Sequence, residues 1–224
     1  MIHPIRFFFL PMVACGLIAC SGDDSSVATV GGRVNLDQAL KVWVAQGQSA
    51  GLRGSGACQG TLVYVQQPAA ATQQNFAGSA ALAATVTRTS LLKAGCTYAS
   101  GISTGSEFYT ASYLPLGRSK VGEYGIYTTP PVFPTGAKAG DTGAVSVMQL
   151  YTDANKQTAL GREEVSYLVE SSAQNAADVL VSLTSKRYDA ASKLQLTSKL
   201  QYSLPDKGTL SLVSAQFNDA VFAN

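Results

Sequence analysis

The sequence predicts a mainly β protein, with antiparallel sheets arranged as a sandwich or a partly open barrel and one short N-terminal helix. Three observations carry this expectation. Charged residues make up only 13% of the 224 residues, about half the usual quarter, and Ser, Thr, Gln, Ala and Gly take their place. From Ala57 onward, short runs rich in Val, Leu, Thr and Tyr recur with alternating polarity. Clusters of Gly, Pro, Asn, Asp and Ser separate those runs, and successive short strands joined by turns favour antiparallel pairing.

Met1 to Arg6 is a short segment with one cation, and Phe7 to Ala19 is apolar but interrupted by Pro11. This run is too short for a comfortable membrane span, and the chain turns polar directly after Cys20. Ser21 to Gly32, "SGDDSSVATVGG", reads as a flexible tether with a reach of about 20 Å. Asn35 to Gln46 is the helix candidate, with "KVWVAQ" equally open to a strand: Asn35 would cap it, Gln38 takes the capping-box position, Gly47 would end it, and Leu36, Leu40 and Trp43 share one face.

Strand character follows over Ala57–Gln67 and over Ala81–Leu92, where Leu82, Ala84 and Val86 alternate with Thr85, Thr87 and Thr89. "SEFYTASYLPLG" ends in an expected Pro-Gly turn at Pro115–Gly117, and "VGEYGIYTTPPVFP" is stopped by three prolines. Lys138 to Gly143 reads as a hinge, so residues 33–137 form an N-terminal β-rich half and residues 138–224 a C-terminal antiparallel meander, as one domain or two. The expected strands of the meander are Ala144–Thr152, Leu160–Ser171, Asp178–Arg187, Lys193–Leu204 and Thr209–Phe217.

Leu17, Ile18, Ala19 and Cys20 match in order a branched apolar residue, a variable residue, a small residue and a cysteine. This resembles the lipobox of a bacterial lipoprotein signal, and the chain is similar to uncharacterised proteobacterial outer-membrane lipoproteins. A looser likeness covers "SGACQGTL" and "SYLPLG" and implies no activity. The resemblance implies that residues 1–19 are removed and that Cys20 carries the lipid and becomes the N-terminus, since two or more acyl chains anchor stably. Residue 21 is Ser, not the Asp that favours inner-membrane retention in that class, which implies sorting to the outer membrane. The expected partners are the membrane itself, through the anchor, and an envelope protein or glycan.

Processing leaves Cys58 and Cys96 in an oxidising compartment, with one pairing open to them. No CxxC motif and no histidine supports a reactive thiol or metal site, so a structural disulfide is expected. It would close a long loop and stabilise the fold by about 4 kcal/mol. Residues 1–19 contain Arg6 and no acid, so the processed chain has 15 Lys+Arg against 14 Asp+Glu. That balance, with the cations scattered, argues against nucleic-acid binding.

The one histidine, His3, lies in the leader. Its loss removes Ser-His-Asp and Cys-His catalysis, histidine-bound zinc and a histidine base. Ser90-Leu91-Leu92-Lys93 matches S-x-x-K but closes a strand-like stretch, where that chemistry needs the serine to open a helix. Asp153, Asn155, Gln157 and Glu164 have a calcium-loop count, yet Thr158 stands where the sharp turn needs glycine. Glu107, Glu123, Glu163, Glu164 and Glu170 could pair as hydrolytic acids, but solvated strand faces explain them more simply. "GLRGSGACQG" precedes a strand, outside a phosphate-cradling context, and reads as loop.

Tyr98, Phe108, Tyr109, Tyr113, Tyr124, Tyr127 and Phe133 crowd one third of the chain. They suit either a half-exposed binding surface or cross-strand pairs over the core. No metal or cofactor is expected. The function expected is a non-enzymatic binding or structural role. The alternatives are a carrier holding an apolar or lipid ligand in a curved half-barrel and, further off, a carboxylate-based hydrolase.

Overall fold

Asn35 sets the first element in place. In the computed structural model its side chain accepts the Gln38 N–H at 2.9 Å, and α1 (Leu36–Gln46) follows as expected. Gly47 ends the helix at φ 72°, where its N–H donates to the Trp43 carbonyl. The structure describes residues 27–28, 33–173, 178–205 and 207–224. Cys20, the leader and most of the tether lie outside the described residues. Val27–Ala28, within the tether, pair antiparallel with Lys207–Gly208.

Thirteen further strands form one antiparallel sheet. In chain order they are β1 (Gln48–Gly54), β2 (Gly60–Gln66), β3 (Ala70–Phe76), β4 (Ser79–Leu92) and β5 (Gly101–Tyr109). Then come β6 (Pro115–Lys120), β7 (Glu123–Tyr127), β8 (Thr142–Tyr151) and β9 (Ala159–Ser171). The last are β10 (Val179–Asp189), β11 (Leu194–Leu204), β12 (Ser211–Phe217) and β13 (Ala220–Ala223).

From β4 onward each strand pairs with its successor. β1 pairs with β2, and β2 with β4, while β3 continues β2 along the same edge of β4. β13 pairs with β1 through Phe222↔Gly54 and Ala223↔Arg53. The sheet therefore closes as a 12-strand up-and-down barrel, which replaces the expected sandwich or partly open barrel.

β7 pairs with β8, so residues 33–137 and 138–224 share one sheet, and Lys138–Gly143 is a turn into β8 instead of a hinge. The turn expected at Pro115–Gly117 lies earlier, at residues 110–114, with Tyr113 at φ 62°, and Pro115 opens β6. β1, β3 and β13 were not anticipated. β1 overlaps the glycine-rich stretch expected as loop, and β13 has only four residues.

One end of the barrel holds α1. Leu36, Ala39, Trp43 and Val44 pack with Val169, Val179, Leu204 and Leu210, which lie at that end of the strands. At the other end the Cys58–Cys96 disulfide ties the β1–β2 turn to the β4–β5 loop, as expected from the sequence. Tyr98 of that loop stacks on Phe217 with centroids 4.6 Å apart. A second, smaller cluster sits on the outer face, where Phe76 stacks on Phe108 and Tyr124.

Among the described residues no helix is long and apolar enough to cross a membrane. A membrane-crossing barrel turns apolar side chains outward. Here the residues alternating with the interior positions of β9 to β11 include Arg162, Glu164, Lys186, Thr197, Lys199 and Gln201. Glu170, Ser182, Gln201 and Ser214 form a hydrogen-bonded net on that outer face.

Candidate functional site

The barrel interior contains a cavity of about 280 Å³ running from α1 toward the far end of the sheet. The size is near the lower bound for small-molecule sites, ~300 Å³. Its position follows from strand parity. Glu163, Val165, Leu183, Ser185, Arg187, Leu196, Ser198, Leu200 and Tyr202 recur at every second residue and all line it. A register shift opposite Val165 and Ser166 lets both Val145 and Met148 of β8 face inward.

One wall is ionic. Arg118 donates two parallel hydrogen bonds to Glu163, through Nη1 at 3.2 Å and through Nη2, and its Nε donates to Glu123 Oε1 at 2.9 Å. Lys120 Nζ lies 3.4 Å from Glu123 Oε2, and Arg187 pairs with the same oxygen. Burial disfavours both carboxylates, but Arg118 and its neighbouring cations outweigh it and hold Glu123 and Glu163 below the usual carboxylate range. Burial also works against charge on Arg118, and Glu163 and Glu123 overcome it, so the guanidinium is held more firmly protonated. Lys120 is shifted downward, chiefly by burial, with Glu123 opposing.

A second polar line runs across β2 and β5. The Tyr64 hydroxyl donates to Gln66 Oε1 at 3.0 Å, Gln66 Nε2 reaches the Tyr109 oxygen at 3.5 Å, and the Tyr109 hydroxyl donates to Glu107. Burial raises Tyr109 and Tyr64 well above the ordinary tyrosine value, and Glu107 adds to both. Burial likewise raises Tyr127 and Tyr202. These phenols stay neutral and act as hydrogen-bonding groups.

Two buried side-chain donors have no hydrogen-bond partner among the described residues: Trp43 Nε1 and Arg88 Nε. Both side chains line the cavity and both lie against the Tyr64 ring. Arg88 places its guanidinium carbon 5.6 Å from the ring centroid, and the Trp43 ring lies 6.3 Å away, near parallel. A buried donor left unpaired costs about 1–3 kcal/mol. The apolar side chains of the remaining wall are Val145, Val165, Leu183, Leu196, Leu200 and Phe217, with Ser185 and Ser198 between them.

The aromatics singled out from the sequence divide among three places. Tyr109, Tyr113, Tyr127 and Phe133 line the cavity, Phe108 and Tyr124 are buried in the outer cluster, and Tyr98 packs at the disulfide end. They form no single patch. Of the five glutamates, Glu107, Glu123 and Glu163 face the interior, and Glu164 and Glu170 face out, so the reading of all five as solvated faces is corrected.

Ser90 bonds to the Ala99 carbonyl and Lys93 to Gln59, so the S-x-x-K residues do not meet. Asp153 caps its own turn through the Asn155 N–H, and Glu164 pairs with Arg162. Tyr64, Arg88, Arg118, Lys120, Arg187 and Tyr202 belong to no motif in the sequence, and Trp43 is legible there only as part of the apolar face of the helix. The available signal was the alternation of charge around one hairpin, Arg118, Lys120 and Glu123, which places all three on one face.

No protein-family model, curated protein or solved structure matches this chain. The fold and the cavity show a closed antiparallel barrel with an amphiphilic interior, its outer face polar over β9 to β11.

Proposed function

We propose that the protein binds a small amphiphilic molecule inside the barrel and that a lipid anchor at Cys20 holds it at the outer membrane of the cell envelope. The carrying observation is the cavity of about 280 Å³, with an apolar wall facing an ionic one. This favours the carrier reading over a tyrosine-lined outer surface. Hydrolysis by paired carboxylates needs one acid that holds a proton. Glu123 and Glu163 are both kept ionised by Arg118, so neither offers one.

The test uses the single tryptophan of the chain, Trp43, which stands in the cavity wall. Medium-chain amphiphiles should change its fluorescence saturably. Val165→Phe, which fills the cavity, should abolish the change while circular dichroism stays that of a folded β protein. An unchanged titration in Val165→Phe would place binding elsewhere. For the anchor, Cys20→Ala should release the protein from the membrane pellet, and retention of that variant would overturn the lipidation reading.

A further inference from the structure

The interior of the barrel is not balanced in charge, and the imbalance has a location. Arg88, Arg118, Lys120 and Arg187 face inward against Glu107, Glu123 and Glu163. Arg118, Lys120 and Arg187 are tied to Glu123 or Glu163. Glu107 is held by the Tyr109 hydroxyl. Arg88 alone of these cations makes no ion pair among the described residues; its guanidinium contacts Tyr64, and its Nε has no hydrogen-bond partner among those residues.

The other unpartnered buried atom, Trp43 Nε1, is also an N–H donor, lines the same cavity and flanks the same tyrosine ring. Two orphaned donors, one of them on a cation, call for an acceptor that carries negative charge. The apolar residues Val86, Leu196, Leu200 and Phe217 share the cavity with them.

From this geometry we infer that the ligand is a monocarboxylic acid with an apolar body, its carboxylate taken by Arg88 and Trp43 and its body lying along the Leu196 and Leu200 wall. The inference rests on the proposal of an interior binding site and adds the head group. A carboxylate is favoured over a phosphate monoester because one unpaired cation balances one negative charge. A dianion would leave a charge uncompensated in a cavity that already contains Glu107. The Tyr64 hydroxyl donates to Gln66 and is itself hydrogen-bonded by Arg88, and its ring centroid lies 5.6 Å from the Arg88 guanidinium carbon in cation–π contact; Tyr64 is neutral, so it leaves the Arg88 charge uncompensated.

Calorimetric titration of the full chain with decanoate, decanol, decylamine and decyl phosphate separates the cases. Decanoate should bind tightest. Arg88→Met should weaken it roughly ten- to hundred-fold, the range for a hydrogen bond to a charged group, and leave decanol unchanged. Arg88→Lys, which keeps the charge but loses the forked donor, should fall between, and serves if Arg88→Met does not fold. Equal affinity for decanoate and decanol, tighter binding of decylamine or decyl phosphate, or an Arg88→Met variant with wild-type decanoate affinity would each overturn the acid assignment while the interior site stands. Failure of all four probes to bind would instead remove the interior site itself.

Discussion

Arg118 is the pivot of the ionic wall, and its loss should be felt more than that of either acid it holds. Removing one partner of a buried ion pair leaves an uncompensated charge and costs about 3–5 kcal/mol. Arg118→Met leaves Glu163 to a Ser185 hydrogen bond and the charge of Arg187, and leaves Glu123, which is 3% exposed, to Lys120 and Arg187. Urea unfolding should show a loss of that order for Arg118→Met and a smaller one for Glu163→Gln, because Arg118 then keeps Glu123. Acid should act on the same residues. Glu123 and Glu163 have folded values below their unfolded ones. Their stabilisation is therefore complete above the ordinary carboxylate value, about 4.3, and is lost as pH falls through the lowered values. The melting temperature should hold near pH 6 and drop below about pH 4, with a shallower drop in Arg118→Met. The sequence carries only the alternation of Arg118, Lys120 and Glu123 around one hairpin, not the pairing with Glu163 and Arg187. Glu163 and Glu164 are adjacent, one in the cavity and one paired outside with Arg162. Period two says that they face opposite ways, but only the register of β9 in a closed sheet says which faces in.

At the scale of elements the sequence was more legible, because capping, alternation and turn chemistry are local. The helix over Asn35–Gln46 and the five strands of the meander stand close to their expected bounds. The errors share a cause. β1 and β3 are mostly Gly, Ala, Ser and Gln, whose strand preference is weak, and hairpin pairing to β2 and β4 supplies what propensity does not. Pro115–Gly117 looked like a turn, yet the glycine is there for packing. At φ 155°, a Cβ on Gly117 would lie 2.1 Å from the Gly125 carbonyl oxygen and 2.7 Å from the Phe76 ring. Gly117→Ala should therefore destabilise the protein by about 1–3 kcal/mol, the range for forced overpacking, and disturb the Phe76–Phe108–Tyr124 stack. Near-ultraviolet circular dichroism and urea unfolding would register both effects. The disulfide joins two turns 38 residues apart in sequence. Its reduction should lower stability by about 4 kcal/mol on the chain-entropy account, measured as a fall in melting temperature with dithiothreitol.

Closure is a property of the whole molecule, and it explains why the sequence suggested a partly open sheet. The pairing that completes the barrel joins Gly54 to Phe222 and Arg53 to Ala223, segments far apart in the chain. Such a contact leaves no local trace, whereas β9–β10 is an ordinary hairpin with a ladder running from Gly161↔Asp189 to Ser171↔Val179. The seam is consequently the weakest line of the sheet, held by few backbone pairs and by Phe222, which is fully buried against Phe217 and Tyr98. Opening there would drain the cavity, since Phe217 belongs to both the seam packing and the cavity wall. Phe222→Ala should cost about 3–5 kcal/mol, the range for deleting a buried aromatic ring. Its signature should also be local. Hydrogen exchange should accelerate first in β1 and β13 while β9 and β10 stay protected, and amphiphile affinity should fall in step with that opening. Uniform acceleration across all strands would show that the barrel opens as one unit and that the seam has no special place.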